Sequence, residues 1–405
     1  MTKLSVFLCS LVFILMAFSC DQEEPTPTPM SSIRSLSADE TGIAASANNF
    51  AFELMTELEN DFPNENYFIS PFSVSTAISM VMNGADQTSQ EGFIRTLGLS
   101  GMSPQVINEA YHSLVGYVYG LDPSVTINVA NSNWYADQYT ISASFSDDLS
   151  TYYNASLFER DFSSTRTLDE LNGWVEDETN GKIKNILDGI SPDDIMFLIN
   201  AIYFKANWTT QFAKEDTENL PFVLPSNETV DVPMMVAEAK HWWSYDSNLK
   251  AQVIDIPYGN EIYAFTVIMP DDVSDIHELV SKINIHDLTT TLSDSVTLIR
   301  ELYLPKFNIE FKTDLLETLV NLGMPVTGLD NLFEEDPPVK ISKVIHQSFL
   351  EVDEKGSEAA AATVVGIELT SLPSATYVNQ PFIFLIRERN SGTILFSGKL
   401  LDPTE

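Results

Sequence analysis

Residues 354–363 read Glu354-Lys355-Gly356-Ser357-Glu358-Ala359-Ala360-Ala361-Ala362-Thr363. Four consecutive alanines beside glutamates would by themselves predict a helix. Continued to Leu369, however, the segment alternates with a period of two, which is typical of a strand with one buried face. One face is small and then increasingly apolar, and it consists of Ser357, Ala359, Ala361, Thr363, Val365, Ile367 and Leu369. The next residues, Thr370-Ser371-Leu372-Pro373-Ser374, are typical of an exposed loop. A potential strand held as a loop is the physical basis of a switch that works by strand insertion.

Further motifs lie along nearly the whole chain. They are Phe68-Ile69-Ser70-Pro71-Phe72-Ser73, Asn172-Gly173-Trp174, Thr179-Asn180-Gly181-Lys182-Ile183, Asn200-Ala201-Ile202-Tyr203-Phe204-Lys205 with Trp208, Val232-Pro233-Met234-Met235, Val344-Ile345-His346, Pro381-Phe382 and Phe396-Ser397-Gly398-Lys399-Leu400. Together with residues 354–363, and in this order, these motifs resemble the serpin family of protease inhibitors. The hinge of inhibitory members is matched with Ser357 in place of the commoner Thr.

The resemblance implies an α+β fold with about three β-sheets, eight or nine helices and an exposed reactive-centre loop, in one domain over residues 41–405. It also implies roles for single residues. The hinge would consist of Glu354, Gly356, Ser357, Glu358, Ala359, Ala360, Ala361, Ala362 and Thr363. A polar cluster beneath the gap where the loop inserts, called the shutter, would consist of Ser70, Ser73, Asn200 and His346. At the point of entry, called the breach, Lys306 would pair with Glu354 and Trp208 would pack nearby.

Hydrophobic periodicity independently predicts a mixed α and β domain. The predicted strands are Val125 to Tyr135, Ile195 to Phe204, Val253 to Ile256, Ala264 to Met269, Ile341 to Val352 and Phe382 to Arg387. The predicted helices include Leu168–Glu178, Ile276–Ile283 and Asp314–Leu322. Several strands are continuous apolar runs, which favours sheets covered on both faces.

The resemblance further implies that a serine protease cuts the loop, forms a covalent acyl complex and is trapped when the hinge inserts. Spacing from Gly356 places the reactive bond between Thr370 and Ser371. No Lys or Arg lies between Lys355 and Arg387, so trypsin-like enzymes find no charged side chain to bind. Thr370 suits an elastase-like or subtilisin-like protease, and a shift by one residue would present Leu369 to a chymotrypsin-like enzyme.

Composition limits the partners. The chain has 21 basic and 58 acidic residues and a net charge of −37, which disfavours nucleic acid because phosphate binding needs clustered Lys and Arg. No Lys or Arg occurs from Thr96 to Glu159, the region of the heparin-binding helix in heparin-activated serpins. We therefore expect no heparin cofactor and no cofactor of another kind, and we expect a monomer.

No enzyme motif is found. The five histidines form no H-E-x-x-H pair, and the sequence contains no G-x-S-x-G elbow. A hydrolase is thus disfavoured, although acidic pairs such as Asp193-Asp194 are abundant. The main alternative is a non-inhibitory serpin that acts as a carrier or chaperone. Such members tend to carry bulky or charged hinge residues, whereas Ser357, Ala359 and Ala361 are small.

The N-terminus predicts export. Lys3 precedes an apolar run from Leu4 to Phe18, which is typical of a signal peptide over residues 1–19. The run ends in Ala17-Phe18-Ser19-Cys20, which resembles a bacterial lipobox with Cys20 as the acylated residue. Residues 20–40 would form a Pro-rich tether. These features predict an outer-membrane lipoprotein exposed at the bacterial cell surface and bound to the membrane through its lipid only. An ordinary secretory peptide with an incidental cysteine is the alternative.

Overall fold

The computed structural model of the protein describes residues 33–335, 337–356 and 375–405. The helices within these ranges are α1 (Ala38–Asp61), α2 (Pro71–Met82), α3 (Gln87–Thr96), α4 (Pro104–Tyr119), α5 (Ala143–Asp148), α6 (Thr165–Glu178), α7 (Ile276–Lys282), α8 (Ile285–Ser293) and α9 (Leu316–Asn321). None of the helices described there is both long and apolar enough to cross a membrane. The predicted signal peptide, Cys20 and most of the tether lie outside the described residues.

The strands in the same ranges are β1 (Tyr67–Ile69), β2 (Val125–Ala136), β3 (Ser156–Arg160), β4 (Met196–Ala206), β5 (Glu218–Val223), β6 (Thr229–Asp246), β7 (Ala251–Tyr258), β8 (Tyr263–Pro270), β9 (Val296–Pro305), β10 (Phe307–Asp314), β11 (Ile345–Val352), β12 (Ala375–Tyr377), β13 (Phe382–Glu388) and β14 (Ile394–Leu400). The α+β class expected from the sequence is confirmed.

The described strands are joined in two hydrogen-bonded sheets. A five-stranded sheet has the order β10-β11-β4-β2-β3. A nine-stranded sheet has the order β1-β14-β13-β8-β7-β6-β9-β12, with β5 paired to β6. About three sheets were expected. The number of sheets is two because β6 is one continuous strand of 18 residues. Its first part pairs with β5 and its last part with β7. This strand therefore joins two groups of strands into one sheet.

The core lies between the two sheets and beneath α1 and α2. Phe204 of the five-stranded sheet meets Phe396 of the nine-stranded sheet with ring centroids 5.5 Å apart. Every residue of β8, β13 and β14 is buried, which confirms the prediction that the apolar strands are covered on both faces.

The start of α2 is fixed by residues next to it in the sequence, and it carries two serines of the predicted shutter. Pro71 occupies the first turn, where its missing N–H is not needed. The hydroxyl of Ser70 caps the helix by accepting a hydrogen bond from the backbone N–H of Ser73 at 3.3 Å. The sequence Ser70-Pro71-Phe72-Ser73 therefore begins α2 and places both serines at the buried start of the helix.

Most predicted elements agree with the structure to within a few residues. The strand predicted over Ile341 to Val352 is wrong at its start, because β11 begins only at Ile345. The backbone N–H of Ile341 donates instead to the carbonyl of Val326, and the carbonyl of Val344 accepts from Leu315. These backbone groups bind neighbouring loops and so cannot join the sheet ladder.

Candidate functional site

The base of the predicted hinge is a tight turn at the end of β11. The backbone N–H of Asp353 donates to the carbonyl of Gly356 at 3.1 Å, and the N–H of Gly356 donates back at 3.2 Å. The turn reverses the chain. Of the predicted hinge, Glu354 and Gly356 belong to the described residues. Ser357, Glu358, Ala359, Ala360, Ala361, Ala362 and Thr363, together with Thr370 and Ser371, lie outside them.

Gly356 already lies between the ends of two strands. It forms antiparallel bridges with Asp353, just after β11, and with Asn207, just after β4. Its φ of 118° is in a region that disfavours side chains. A Cβ there would clash with the carbonyl oxygen of Ala206 and lie 2.6 Å from the Cα of Asn207. Only glycine fits, because backbone surrounds the position on the side of β4.

Glu354 is held by a cation. Its carboxylate accepts hydrogen bonds from Lys306 Nζ at 2.9 Å and from the hydroxyl of Thr217 at 3.0 Å. The Glu354 side chain is only 7% exposed, whereas that of Lys306 is 36% exposed. Burial opposes ionisation of the carboxyl, but the hydrogen bonds outweigh it and leave the pKa of Glu354 below its ordinary value. The ion pair therefore fixes the turn to the strand junction of β9 and β10.

Trp208 clamps the same turn. Its indole Nε1–H donates to the carbonyl of Asp353 at 2.9 Å, and its backbone N–H donates to the carbonyl of Lys355 at 3.0 Å. The ring is buried and stacks on Tyr258 with centroids 4.4 Å apart and planes 9° apart. The two residues that the resemblance assigned to the breach, Trp208 and Lys306, thus both contact the hinge turn.

The four residues assigned to the shutter come together in one buried cluster. The backbone N–H of Ser70 donates to His346 Nε2 at 3.2 Å, and the hydroxyl of Ser73 donates to Asn200 Oδ1. Burial lowers the pKa of His346 to about 4, so its Nε2 is an unprotonated acceptor at neutral pH. Asn200 and His346 face each other across the pairing of β4 with β11.

The central strand pair is short. β4 and β11 are parallel and pair over four positions, from His346 opposite Asn200 to Phe349 opposite Tyr203. The other neighbours of these two strands, β2 and β10, are antiparallel to them and pair over 11 and 8 positions. Within the five-stranded sheet, the pairing of β4 with β11 therefore has the fewest paired positions, and the predicted hinge begins at the end of this pair.

Three residues of the site were not predicted. Asn131 accepts a hydrogen bond from the Asn200 amide at 2.6 Å, and Thr217 and Tyr258 contact Glu354 and Trp208. The run Asn131-Ser132-Asn133 inside the predicted strand Val125 to Tyr135 was the available signal, since polar residues inside a buried strand need partners. Thr217 and Tyr258 carry no such signal.

In residues 33–335, 337–356 and 375–405, no group of three or more His, Cys, Asp or Glu side chains could hold a metal ion.

Comparisons with known proteins agree with this geometry. The family model described as serpin (serine protease inhibitor) matches residues 45–403. The leukocyte elastase inhibitor of Bos taurus is 32% identical over 384 residues, which cover 89% of this chain and 99% of that protein. The human leukocyte elastase inhibitor is 32% identical over 381 residues, which cover 89% of this chain and 99% of that protein.

Solved structures give the same result. Human thyroxine-binding globulin superimposes with a TM-score of 0.82 and 29% identity, covering 91% of this chain and 100% of that one. Tengpin, a thermophilic serpin in the native state, superimposes with a TM-score of 0.80 and 28% identity, covering 92% and 96%. The chain therefore belongs to the serpin family, whose members are mostly protease inhibitors rather than enzymes.

Proposed function

We propose that the protein inhibits serine proteases by being cut in the loop after its hinge and then inserting that loop as a new strand. One observation carries the proposal: Gly356 is bridged on one side to the end of β11 and on the other to the end of β4. A strand continuing from Gly356 would run antiparallel to both strands and could replace their short mutual pairing with two ladders.

The sequence after Gly356 supports this step. In an inserted strand, Ser357, Ala359 and Ala361 would share one face, and all three are small, so the first inserted positions would need little room between β4 and β11. Val365, Ile367 and Leu369 would follow on the same face. Burying each of these would contribute roughly 1.5–3 kcal/mol, and each new hydrogen bond about 1 kcal/mol. Insertion is therefore downhill once the loop is cut, and the intact protein is kinetically trapped.

The bond-breaking chemistry is carried out by the target protease. Its catalytic serine attacks the carbonyl carbon of Thr370, and the bond to the nitrogen of Ser371 breaks as that nitrogen takes a proton from the protease histidine. The protease is then joined to Thr370 as an ester. Insertion of the hinge drags the ester-linked protease along the sheet and distorts it before water can release it. Thr370 favours a target with a small specificity pocket, such as an elastase-like or subtilisin-like protease. The alternative is a cut one residue earlier, after Leu369.

Mixing the purified protein with an elastase tests this function. A complex that survives SDS supports inhibition, cleavage without a complex indicates a substrate-like serpin, and turnover of a peptide substrate by the protein alone indicates an enzyme. Mass spectrometry of the released C-terminal peptide identifies the reactive bond.

We also propose that the protein acts at the bacterial cell surface, held by acyl chains on Cys20. The lipobox-like Ala17-Phe18-Ser19-Cys20 and the Pro-rich residues that follow support this. Several acyl chains on one residue would hold the protein firmly in a membrane.

Small-molecule transport, as in a non-inhibitory serpin, is the second candidate function. It is favoured by a cleft of about 630 Å³ whose walls include α1, α8 and Arg389, and by the likeness to a globulin solved with bound thyroxine. A carrier would bind an aromatic acid such as thyroxine with a measurable quench of tryptophan fluorescence and would form no SDS-stable complex with elastase.

A further inference from the structure

Arg34 lies just before α1 and is bound to the folded domain by its side chain and by its backbone. The guanidinium donates to both carboxylate oxygens of Glu40, at 2.8 Å and 2.5 Å, a bidentate geometry that suits the planar guanidinium of Arg. The guanidinium also lies 4.5 Å from the centroid of the Tyr117 ring on α4. The Tyr117 hydroxyl accepts from the backbone N–H of Arg34 at 3.4 Å and donates to its carbonyl at 3.2 Å. We call Arg34, Glu40 and Tyr117 the Arg34 clamp.

Glu40 connects the clamp to the first turn of α1. Its side chain is 4% exposed, and it also accepts hydrogen bonds from the backbone N–H of Ser37 at 2.7 Å and from the hydroxyl of Ser113 at 2.6 Å. Ser37 in turn caps α1 by accepting from the backbone N–H of Glu40. The hydrogen bond from Arg34 is the main reason that the pKa of the Glu40 carboxyl is lowered to about 2. Withdrawing Arg34 would leave a buried carboxylate without its counter-ion, which is costly.

The sequence around the clamp contains no other cleavage site for a trypsin-like protease, which cuts after Lys or Arg. Arg34 is the only Lys or Arg between Cys20 and Arg95. Such a protease could separate the domain from residue 20 only at the bond between Arg34 and Ser35, because fragments cut within the folded domain stay together through the core. Residues 356–386 contain no Lys or Arg, so the loop that would trap a protease does not fit this class. The protein therefore has to resist trypsin-like proteases at Arg34 by other means.

We propose that the bond between Arg34 and Ser35 is a proteolytic processing site protected by the Arg34 clamp, and that opening of the clamp lets a trypsin-like protease release the domain from its membrane anchor. The release step rests on the proposed acylation of Cys20. Cleavage adds one water: the carbonyl carbon of Arg34 becomes a carboxylate, and the nitrogen of Ser35 becomes a new amino terminus. Before this, Arg34 must leave Glu40 and Tyr117. The cleavage rate therefore follows the fraction of molecules in which the clamp is open.

The test treats the full-length protein with trypsin, both in membranes and after purification in detergent, and identifies the new amino terminus by mass spectrometry. Arg34→Lys keeps a basic residue for trypsin but loses the bidentate contact, and Glu40→Gln removes the buried charge at the same side-chain size. Glu109→Gln is the matched control, because Glu109 lines the same cleft as Arg34 and Glu40 but binds Gln105. Met30→Arg adds a basic residue before the clamp and shows how fast an unprotected site is cut.

We expect the wild-type protein and Glu109→Gln to resist cleavage after residue 34. Arg34→Lys and Glu40→Gln should be cut there at least about tenfold faster, and the cut should release the domain from membranes. Met30→Arg should be cut quickly after residue 30. The melting temperature of Arg34→Lys should stay near that of the wild type, because Arg34 lies outside the core. A faster cut in this variant then reflects opening of the clamp rather than unfolding of the domain.

Two results would overturn the protected site. One is cleavage of the wild-type protein after Arg34 as fast as Met30→Arg is cut after residue 30. The other is a rate of cleavage after residue 34 that is the same in Arg34→Lys and Glu40→Gln as in the wild type, while Met30→Arg is cut. Wild-type protein that does not fractionate with membranes would refute the anchor, and the rates measured in detergent would still decide whether the clamp protects the bond.

Discussion

Gly356 and Asn207 form an antiparallel bridge, although Gly356 follows β11 and Asn207 follows β4. The bridge places Gly356 between two parallel strands whose own pairing covers four positions. In the intact protein the turn at 353–356 is held in this position by Trp208 and by the Lys306–Glu354 ion pair.

Gly356→Ala is expected to destabilise the intact protein by about 1–3 kcal/mol, because the position has a positive φ and its Cβ would press on the backbone of β4. Gly392→Ala is the matched control, since its φ is also positive but no atom lies within 4 Å of the added Cβ. Urea unfolding of both variants measures the difference. Equal losses would show that the bridge to Asn207 does not constrain Gly356.

Ser357→Arg should convert the inhibitor into a substrate. On insertion, position 357 would face the packed side of the sheet, and burying an unpaired guanidinium costs several kcal/mol. Insertion would then be slower than release of the protease. The ratio of SDS-stable complex to cleaved protein is the measurement. Glu358→Arg, on the opposite face of the segment, should keep complex formation, and unchanged complex formation in Ser357→Arg would exclude insertion from this residue.

Thr370→Arg should create inhibition of trypsin-like proteases and weaken inhibition of elastase, because the residue before the cut fills the specificity pocket. Leu369→Arg is the register control. If only Leu369→Arg gains activity against trypsin, the reactive bond lies one residue earlier than proposed.

Acid should destabilise the protein through two buried histidines. Burial lowers the pKa of His346 to about 4. Burial also lowers the pKa of His241 to about 4, and the nearby Arg300 acts in the same direction. His241 donates a hydrogen bond to the carbonyl of Ala239. An unfolded histidine takes up its proton near pH 6.5. The two neutral histidines therefore contribute fully to the free energy of unfolding above pH 6.5. As the pH falls from 6.5 to about 4, the free energy of unfolding falls by about 1.4 kcal/mol per pH unit for each histidine.

Urea unfolding between pH 7.5 and 4.5 checks this. His346→Gln and His241→Gln should each flatten the pH dependence, whereas His286→Gln, an exposed position on α8, should not. A profile unchanged in all three variants would assign the acid sensitivity to carboxylates instead.

Cys20→Ala should release the protein from membranes or block its maturation, because the acyl chains would have no other attachment point. Membrane fractionation measures this. Variant protein that still needs detergent for extraction would refute the lipoprotein assignment.

Some of the molecule was predictable because the signals are local. The helix start at Ser70-Pro71 uses a cap and a proline within one turn, and β2, β4, β8 and β13 follow from runs of β-branched and aromatic residues. The motifs along the chain, among them Phe68 to Ser73, Asn200 to Lys205 and residues 354–363, together predicted the family that the family model confirms.

The tertiary structure decided what depends on residues distant in the sequence. Only the register of β4 against β11 shows that Asn200 faces His346, and only the pairing of β2 with β4 brings Asn131 to the same cluster. Tyr303 and Tyr377 stack on each other because β12 pairs with β9 at the sheet edge. The sequence determined most of the secondary structure and the acidic charge, and it predicted the hinge, since these are properties of neighbouring residues. Which strands become neighbours is settled by burial of the whole core, so the position of Gly356 between two strands became visible only in the folded chain.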